Sequence, residues 1–189
     1  PALATIRRLR AQQPRLLQVA CFDTAFHRHQ PRVHQLFALP RRLADEGILR
    51  YGFHGLSYAH VARRLPEVVG AERAVGRVVI AHLGQGCSLC ALRGGQSLAS
   101  SMGFTALDGM MMGSRCGRLD PGVVLHLLRQ PGMTTEQVER LLYHDSGLYG
   151  VSGISADMRD LLASDHPQAA EAVELFVERL LQESGALTA

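Results

Sequence analysis

Apolar residues recur along the chain in patterns that predict a mixed set of elements. Leu3, Ile6 and Leu9 lie at helical spacing, and Pro14 ends that segment. Leu16 to Phe22 is an apolar run of strand length, the pattern of a strand buried on both faces, and it stops at Asp23-Thr24. Pro31 is placed to begin a short helix reaching about Leu39. Ile48 to Tyr51 reads as a short strand. Gly52-Phe-His-Gly55 breaks it, and Ser57 can then cap a helix through Leu65.

The clearest strand signals follow. Val78 to Leu83, the tight turn Gly84-Gln-Gly86, Cys87 to Arg93, the hairpin pair Gly94-Gly95 and Gln96 to Ser101 predict a three-strand β-meander over 78–101. A Gly- and Met-rich loop runs from Met102 to Gly117, and its Met110-Met-Met112 reads as core filler. Asp120-Pro121 starts a helix to about Arg129. Thr134 and Gln137 make a capping box for a helix to Tyr143. Ser146 to Ser155 reads as a Gly/Ser-rich loop. Asp157–Ala163 and Pro167–Ser184 read as helices, the second with Ala170, Val173, Val177, Leu180 and Leu181 on one face. Strand and helix, then a meander, then mostly helices make an α/β chain without simple βαβ alternation.

Composition narrows the classes. With 189 residues, 47% hydrophobic and 20% charged, the chain can build a sizeable core and is not disordered. No apolar run approaches the roughly 18 residues of a membrane span, and the first ten residues carry no signal-peptide pattern. Both ends read as cut rather than natural. The net charge of +3 is spread out, its densest basic cluster being Arg7, Arg8 and Arg10, which gives nucleic-acid binding little footing. All 20 basic side chains are Arg. A Walker A loop, a protein-kinase strand lysine and a Schiff-base lysine of this chain are thereby excluded.

Cys87-Ser-Leu-Cys90 is a CxxC on a predicted strand, where residues three apart face opposite ways. These two, with Cys21 and Cys116, read as small hydrophobes and unpaired thiols of a reducing cytoplasm.

Four loops place polar groups among glycines. They are Phe22-Asp-Thr24, Gly52-Phe-His-Gly55, His82-Leu-Gly-Gln-Gly86 and Gly113-Ser-Arg-Cys-Gly117. Glycines let backbone N–H groups approach an anion, and Arg115 adds a forked donor. His54 precedes a predicted helix N-terminus. Asp23 could hold Mg²⁺ or orient an attacking oxygen. Such a set, without a P-loop, points to phosphoryl transfer by positioning and charge neutralisation. Each residue also has a plainer reading: Asp23 as a helix-cap carboxylate, His54 as a hydrogen-bonded structural residue, Arg115 as a solvated loop side chain, Gly84 and Gly86 as hairpin glycines.

The strings Phe22-Asp-Thr-Ala-Phe-His27, Arg50-Tyr-Gly-Phe-His-Gly55, His82-Leu-Gly-Gln-Gly86, Ser101-Met-Gly-Phe-Thr105, Met112-Gly-Ser-Arg-Cys-Gly117 with Leu119-Asp-Pro121, and Ser152-Gly-Ile-Ser-Ala-Asp-Met-Arg159 closely resemble the acetate kinase family, in order and over nearly the whole chain. The resemblance implies an α/β fold of the actin-like ATPase superfamily, with two ribonuclease H-like domains and the active site in their cleft. It implies that residues 1–26 are the tail of the first domain and 27–189 most of the second. The implied reaction moves the ATP γ-phosphoryl group to acetate, reversibly, with Mg²⁺, in a cytoplasmic homodimer.

By the same resemblance, Asp23 is the acidic residue near Mg²⁺ and the acyl substrate. His54 and Arg115 stabilise the phosphoryl group in flight. His82, Gly84, Gln85 and Gly86 meet the ATP phosphates, and Asp157, Met158 and Arg159 line the adenine and ribose site. Phe53 and Ala106 wall the carboxylate pocket. Gln85 stands where the family usually has Asn, and Ala106 where many members have Pro. Family chains are about twice this length, so the resemblance also implies that this chain alone is inactive. Alternatives are a propionate or butyrate kinase, a non-catalytic remnant, and a metal-dependent hydrolase using Asp23, His27, His29, His54 and His82.

Overall fold

In the computed structural model, residues 2–129 and 132–189 are described. The meander forms as the strand patterns predict. β1 (Arg77–Leu83), β2 (Cys87–Arg93) and β3 (Gln96–Ser100) pair antiparallel in sequence order. The register sets Val78 opposite Leu92, Ile80 opposite Cys90 and His82 opposite Ser88. A bulge at Ala91/Leu92 adjusts the β2–β3 pairing.

The central strand β2 is buried on both faces, so its alternation divides the core. Cys87 and Leu89 face a cluster with Met102, Met110, Met111, Met112, Leu161 and Phe176. Cys90 and Leu92 face a second cluster with Ile80 and Tyr58. The two thiols of the CxxC thus lie on opposite faces, as the strand reading requires, and burial pushes each up to about 11. The three consecutive methionines are buried core filler, again as expected.

Helices cover the two faces. The helix Gly55–Val69 lies over the Cys90 face, through Tyr58, Val61 and Ala62. The 22-residue helix Pro167–Thr188 and the methionine loop cover the other. In chain order the helices are α1 (Ala2–Gln12), α2 (Arg32–Gln35), α3 (Arg41–Asp45), α4 (Gly55–Val69), α5 (Ala71–Ala74), α6 (Pro121–Arg129), α7 (Thr135–His144), α8 (Gly147–Ser152), α9 (Met158–Leu162) and α10 (Pro167–Thr188). The capping box of α7 is formed by Thr134 and Gln137 as predicted. No helix among the described residues is long and apolar enough to cross a membrane.

Several elements differ from the sequence expectation. Leu16 to Phe22 is not a buried strand but an exposed extended segment, with Leu17 85% and Phe22 70% exposed. Apolar, β-branched composition favours a strand only where a neighbouring strand accepts its hydrogen bonds, and none of the described residues does so here. Ile48 to Tyr51 is likewise irregular. Its N–H groups are spent singly, Arg50 on the Gln35 carbonyl and Tyr51 on the Gly103 carbonyl. The predicted helix from Pro31 to Leu39 shrinks to the single turn α2.

The segment Ser146–Ser155 contains the helix α8. Gly147 opens it at φ +64°, where an added Cβ would lie 2.2 Å from the Met112 carbonyl oxygen. In α10 the buried face is Ala169, Ala172, Phe176 and Glu183, one residue round from the expected stripe. Val177 and Leu181 stay exposed. The apolar stripe of α10 is wide, and the two alanines let the helix sit closest on that side. Glu183 is tolerated there because Arg118 bonds it at 2.9 Å, although burial still raises its carboxyl above the usual range.

Candidate active site

The strongest local geometry is the start of α4. Its cap comes from a residue distant in sequence, in place of the expected Ser57. The Asp23 carboxylate accepts the His54 N–H on Oδ2 and the Leu56 N–H on Oδ1, at 3.3 Å for the latter. An anion at a helix N-terminus is favoured both by those orphan donors and by the helix dipole. Asp23 opens a 3₁₀ turn, Asp23–His27, that packs on α4 and β3. The expected domain division between residues 26 and 27 runs through this turn.

Gly55 is demanded by the same contact, since a Cβ there would stand 1.9 Å from the Asp23 carbonyl oxygen. His54 itself takes φ +57°, the one non-glycine in the left-handed region among the described residues. That strain is held by bonds on every side of it.

His54 sits on the even-numbered face of the sheet. Its Nδ1 is 2.8 Å from the Ser88 hydroxyl, and its ring stacks on His82 at 4.1 Å between centroids. His82 Nδ1 is 3.0 Å from the Ser57 hydroxyl. The cross-strand pairing of His82 with Ser88 brings these groups together. Burial first, then His82, holds the His54 imidazole below its ordinary pKa; Asp23 pulls the other way, and Arg115 lowers it further.

The opposite edge, Nε2, faces Gly86. A methyl group built on Gly86 would lie 3.3 Å from His54 Nε2 and 3.8 Å from Arg115 Nη1. Arg115 Nη1 also donates to the Ala106 carbonyl at 3.1 Å. Asp23, His54, His82, Gly86, Arg115 and Ala106 are therefore one constellation. Ala106 and the side chain of Phe53 both pack against the methionine cluster.

Beside this point lies a cavity of about 690 Å³, lined by Gly84, Gln85, Asp157, Met158 and Arg159, with Phe176 contributing from α10. The Gln85 carbonyl accepts the Gly113 N–H at 3.3 Å, which ties the phosphate-turn candidate to the Arg115 loop. Asp157 caps α9 through the Arg159 N–H at 2.9 Å. Its side chain also pairs with the Arg159 guanidinium, and that hydrogen bond holds its carboxyl down to about 2. The Gly84–Gly86 turn with the paired Asp157–Arg159 segment gives a cavity whose size and lining suit a polyphosphate with a base.

The metal-hydrolase alternative loses its ligands. His27 is buried, with Nε2 donating to the Phe53 carbonyl at 2.9 Å and Nδ1 2.8 Å from the Ser97 hydroxyl. His29 accepts from Arg28 at 2.9 Å. Among the described residues no group of three or more His, Cys, Asp or Glu side chains is arranged to hold a metal.

Sequence reading missed Ser88, Tyr58, Gln30 and Ser97, and took His27 for a possible ligand where it is part of a buried set with Gln30 and Ser97 that fixes the Phe53 carbonyl one residue before His54. A signal existed. Ser88 and Ser97 are hydroxyls at inward positions of strands whose neighbours are apolar, and a buried hydroxyl needs a partner.

Comparison with known proteins agrees with this geometry. The model of the Acetokinase family matches residues 1–189. The acetate kinase of Rhodopseudomonas palustris (strain TIE-1) is 60% identical over 187 residues, covering 99% of this chain and 47% of that protein. The acetate kinase of Methylocella silvestris is 57% identical over 187 residues, again 99% of this chain and 46% of that protein. Among solved structures, a propionate kinase from Francisella tularensis gives a TM-score of 0.92 at 34% identity, covering 98% of this chain and 49% of that one. The Porphyromonas gingivalis acetate kinase gives 0.90 at 34% identity, covering 98% and 47%. The α/β fold expected from the sequence is thus the fold of acetate and propionate kinases. The chain spans about half the length of the curated relatives it matches, and it belongs to the acetokinase family.

Proposed function

We propose that these residues form one wall of a site that moves the γ-phosphoryl group of ATP to acetate, giving acetyl phosphate and ADP. The observation that carries this reading is the convergence of His54 Nε2 and Arg115 Nη1 on the space beside Gly86, at the end of the cavity lined by Gly84, Gln85 and Asp157–Arg159. In this reading the nucleoside lies along Asp157, Met158 and Arg159. Its phosphates cross the Gly84–Gly86 turn, where His82 backs His54. The γ-phosphoryl group occupies the gap between His54 and Arg115, which donate to its oxygens.

A carboxylate oxygen held near Phe53 and Ala106 forms the new bond to phosphorus, and the bond to the β–γ bridging oxygen breaks, leaving ADP. Asp23 acts through the α4 N-terminus, fixing the His54 backbone. Mg²⁺ belongs to the co-substrate as MgATP, and no side chain of this chain is assigned to it. Unpaired thiols and an ATP-dependent metabolic reaction agree with a cytoplasmic site. The reading includes a homodimer. It also keeps the segment before Asp23 with a first domain, as α1 and the extended run after it bury no side chain.

Propionate is the second reading, favoured by the Francisella tularensis propionate kinase, whose TM-score matches that of the acetate kinases, and by the small side chain of Ala106 at the pocket. A methylene changes discrimination by only about 1–3 kcal/mol.

Hydroxamate trapping of acyl phosphate, with a chain of full family length carrying these 189 residues, tests both readings. Acetate is expected to give the higher kcat/KM. His54→Ala and Arg115→Ala are each expected to lower kcat on the order of 10²–10³-fold, with little change in KM for ATP. Near-normal kcat in either variant removes that residue from phosphoryl transfer.

A further inference from the structure

Tyr58 and Ser88 are buried polar groups that the reaction above does not use. Tyr58 on α4 and Ser88 on β2 are both fully buried. The Tyr58 hydroxyl bonds Ser88 Oγ, and Ser88 Oγ bonds His54 Nδ1 at 2.8 Å. The three groups form a line that starts in the α4 core and ends at the ring edge opposite the candidate phosphoryl position.

Counting protons gives the line a direction. Burial raises the Tyr58 phenol far above its ordinary pKa, so it keeps its hydrogen. Among the described residues, Ser88 Oγ is its one hydrogen-bond partner, so Tyr58 donates to Ser88. The Ser88 hydrogen then has one acceptor, His54 Nδ1. A nitrogen that accepts carries no hydrogen, so the neutral ring bears its proton on Nε2. With the proton on Nδ1 instead, two donors would point at Ser88 Oγ, and the Ser88 hydrogen would be orphaned at a fully buried position. That penalty favours the Nε2–H form roughly tenfold or more.

We propose that Ser88, steered by Tyr58, is a positioning residue that holds His54 as the Nε2–H tautomer, a donor aimed at the space between Gly86 and Arg115. The inference rests on the kinase reading for what that donor serves. The groups facing His54 agree with a neutral ring. His82 of β1 stacks on it, and Arg115 approaches from the loop after the meander. Asp23 and His27 lie on the 3₁₀ turn, Asp23 being occupied by backbone N–H groups. A second positive charge would meet Arg115 across the gap. A neutral donor adds a hydrogen bond there without that repulsion.

The test uses a chain of full family length carrying these residues, with ¹⁵N-labelled histidine, and His54→Gln to assign the His54 signals. At pH 8 the parent is expected to show an unprotonated Nδ1 and a protonated Nε2. This measurement needs no variant at Ser88, and a protonated Nδ1 overturns the proposal. Ser88→Ala is expected to populate the Nδ1–H form and to lower kcat about tenfold with little change in KM for ATP. Ser88→Thr, which keeps the hydroxyl, is expected to restore both. An unchanged His54 tautomer in Ser88→Ala also overturns it. The spectra are read without turnover, so the two ideas separate. The expected spectra in a chain with no phosphoryl transfer support the Ser88 assignment and count against the kinase reading. Unchanged spectra in an active chain count against Ser88 alone.

Discussion

Gly86→Ala separates stability from chemistry more sharply than any other single change in this site. Gly86 does not lie in the left-handed region, so alanine meets no backbone strain there. The unfolded chain loses freedom worth about 0.4–1 kcal/mol, which the close approach of the new methyl group to the pinned His54 ring offsets, so the net change in stability stays within about 1 kcal/mol. That methyl carbon would stand 3.3 Å from His54 Nε2 and 3.8 Å from Arg115 Nη1. A phosphoryl oxygen served by both donors must sit about 2.7–3.1 Å from each, and so competes for the same space. Displacing it by roughly 1 Å costs about 10²-fold in rate. That corresponds to about 2.7 kcal/mol at the usual 1.36 kcal/mol per tenfold. The assay is hydroxamate trapping with a chain of full family length, with thermal melting on the same sample. The expected outcome is a hundredfold lower kcat with a Tm within a few degrees of the parent. A kcat within fivefold of the parent would place the transferring group elsewhere and refute the reasoning.

Asp23→Asn replaces one of two accepting oxygens by an NH₂ group that faces a backbone N–H. It is expected to cost about 1–2 kcal/mol at the α4 cap, a Tm drop of several degrees, and most of the activity. A parental Tm would remove Asp23 from the cap. Burial, as the leading cause, holds His27 below the ordinary histidine range, against the Phe53 carbonyl and Asp23, which pull it up. The folded-state pKa is therefore depressed, and the unfolded chain takes up the proton first. Stability is fully present above about pH 6.5 and is lost as pH falls below it, no faster than about 1.4 kcal/mol per pH unit for each such histidine. Melting curves between pH 8 and pH 5 check this, and a flat Tm across that range contradicts it.

Local chemistry was legible wherever it was local. The meander, the α7 capping box and the helix after Asp157 all depend on residues within a few positions of one another, and all formed as read. The start of α4 shows the opposite case. Ser57 had the right residue type and position for a cap, but the helix begins two residues earlier on the carboxylate of Asp23, 31 positions before His54. No window around Ser57 contains that information. Ser57 is used instead by His82, across the α4–β1 contact. The run Leu16–Phe22 failed for a related reason: apolar composition states a preference for burial but does not name a partner. In α10 the expected stripe was apolar, but the close approach of Ala169 and Ala172 to the core turned the buried face one residue round. The site residues were legible as loops with glycines. The reason they converge was not, since it depends on strand register.

That register explains why so small a sheet can organise the whole constellation. Along β2, Cys87 lines the nucleotide-sized cavity on one face, while its neighbour Ser88 holds the His54 ring on the other. The step between them is one residue, so the strand itself sets the spacing between the cavity and the imidazole. The preceding turn, Gly84 to Gly86, joins this strand to His82 of β1, whose ring supports His54 from the side. A one-residue slip would move Ser88 to the methionine face and Cys87 beneath His54. The histidine would lose the Ser88 hydroxyl at Nδ1, and the cavity would gain a hydroxyl where it now has a thiol bonded to the Gly84 carbonyl. The dense apolar contacts of Leu89 on one face and of Cys90 and Leu92 on the other resist that slip, because each would exchange one packed cluster for another of different shape. Packing that stabilises the fold therefore also fixes the distance on which phosphoryl transfer would depend.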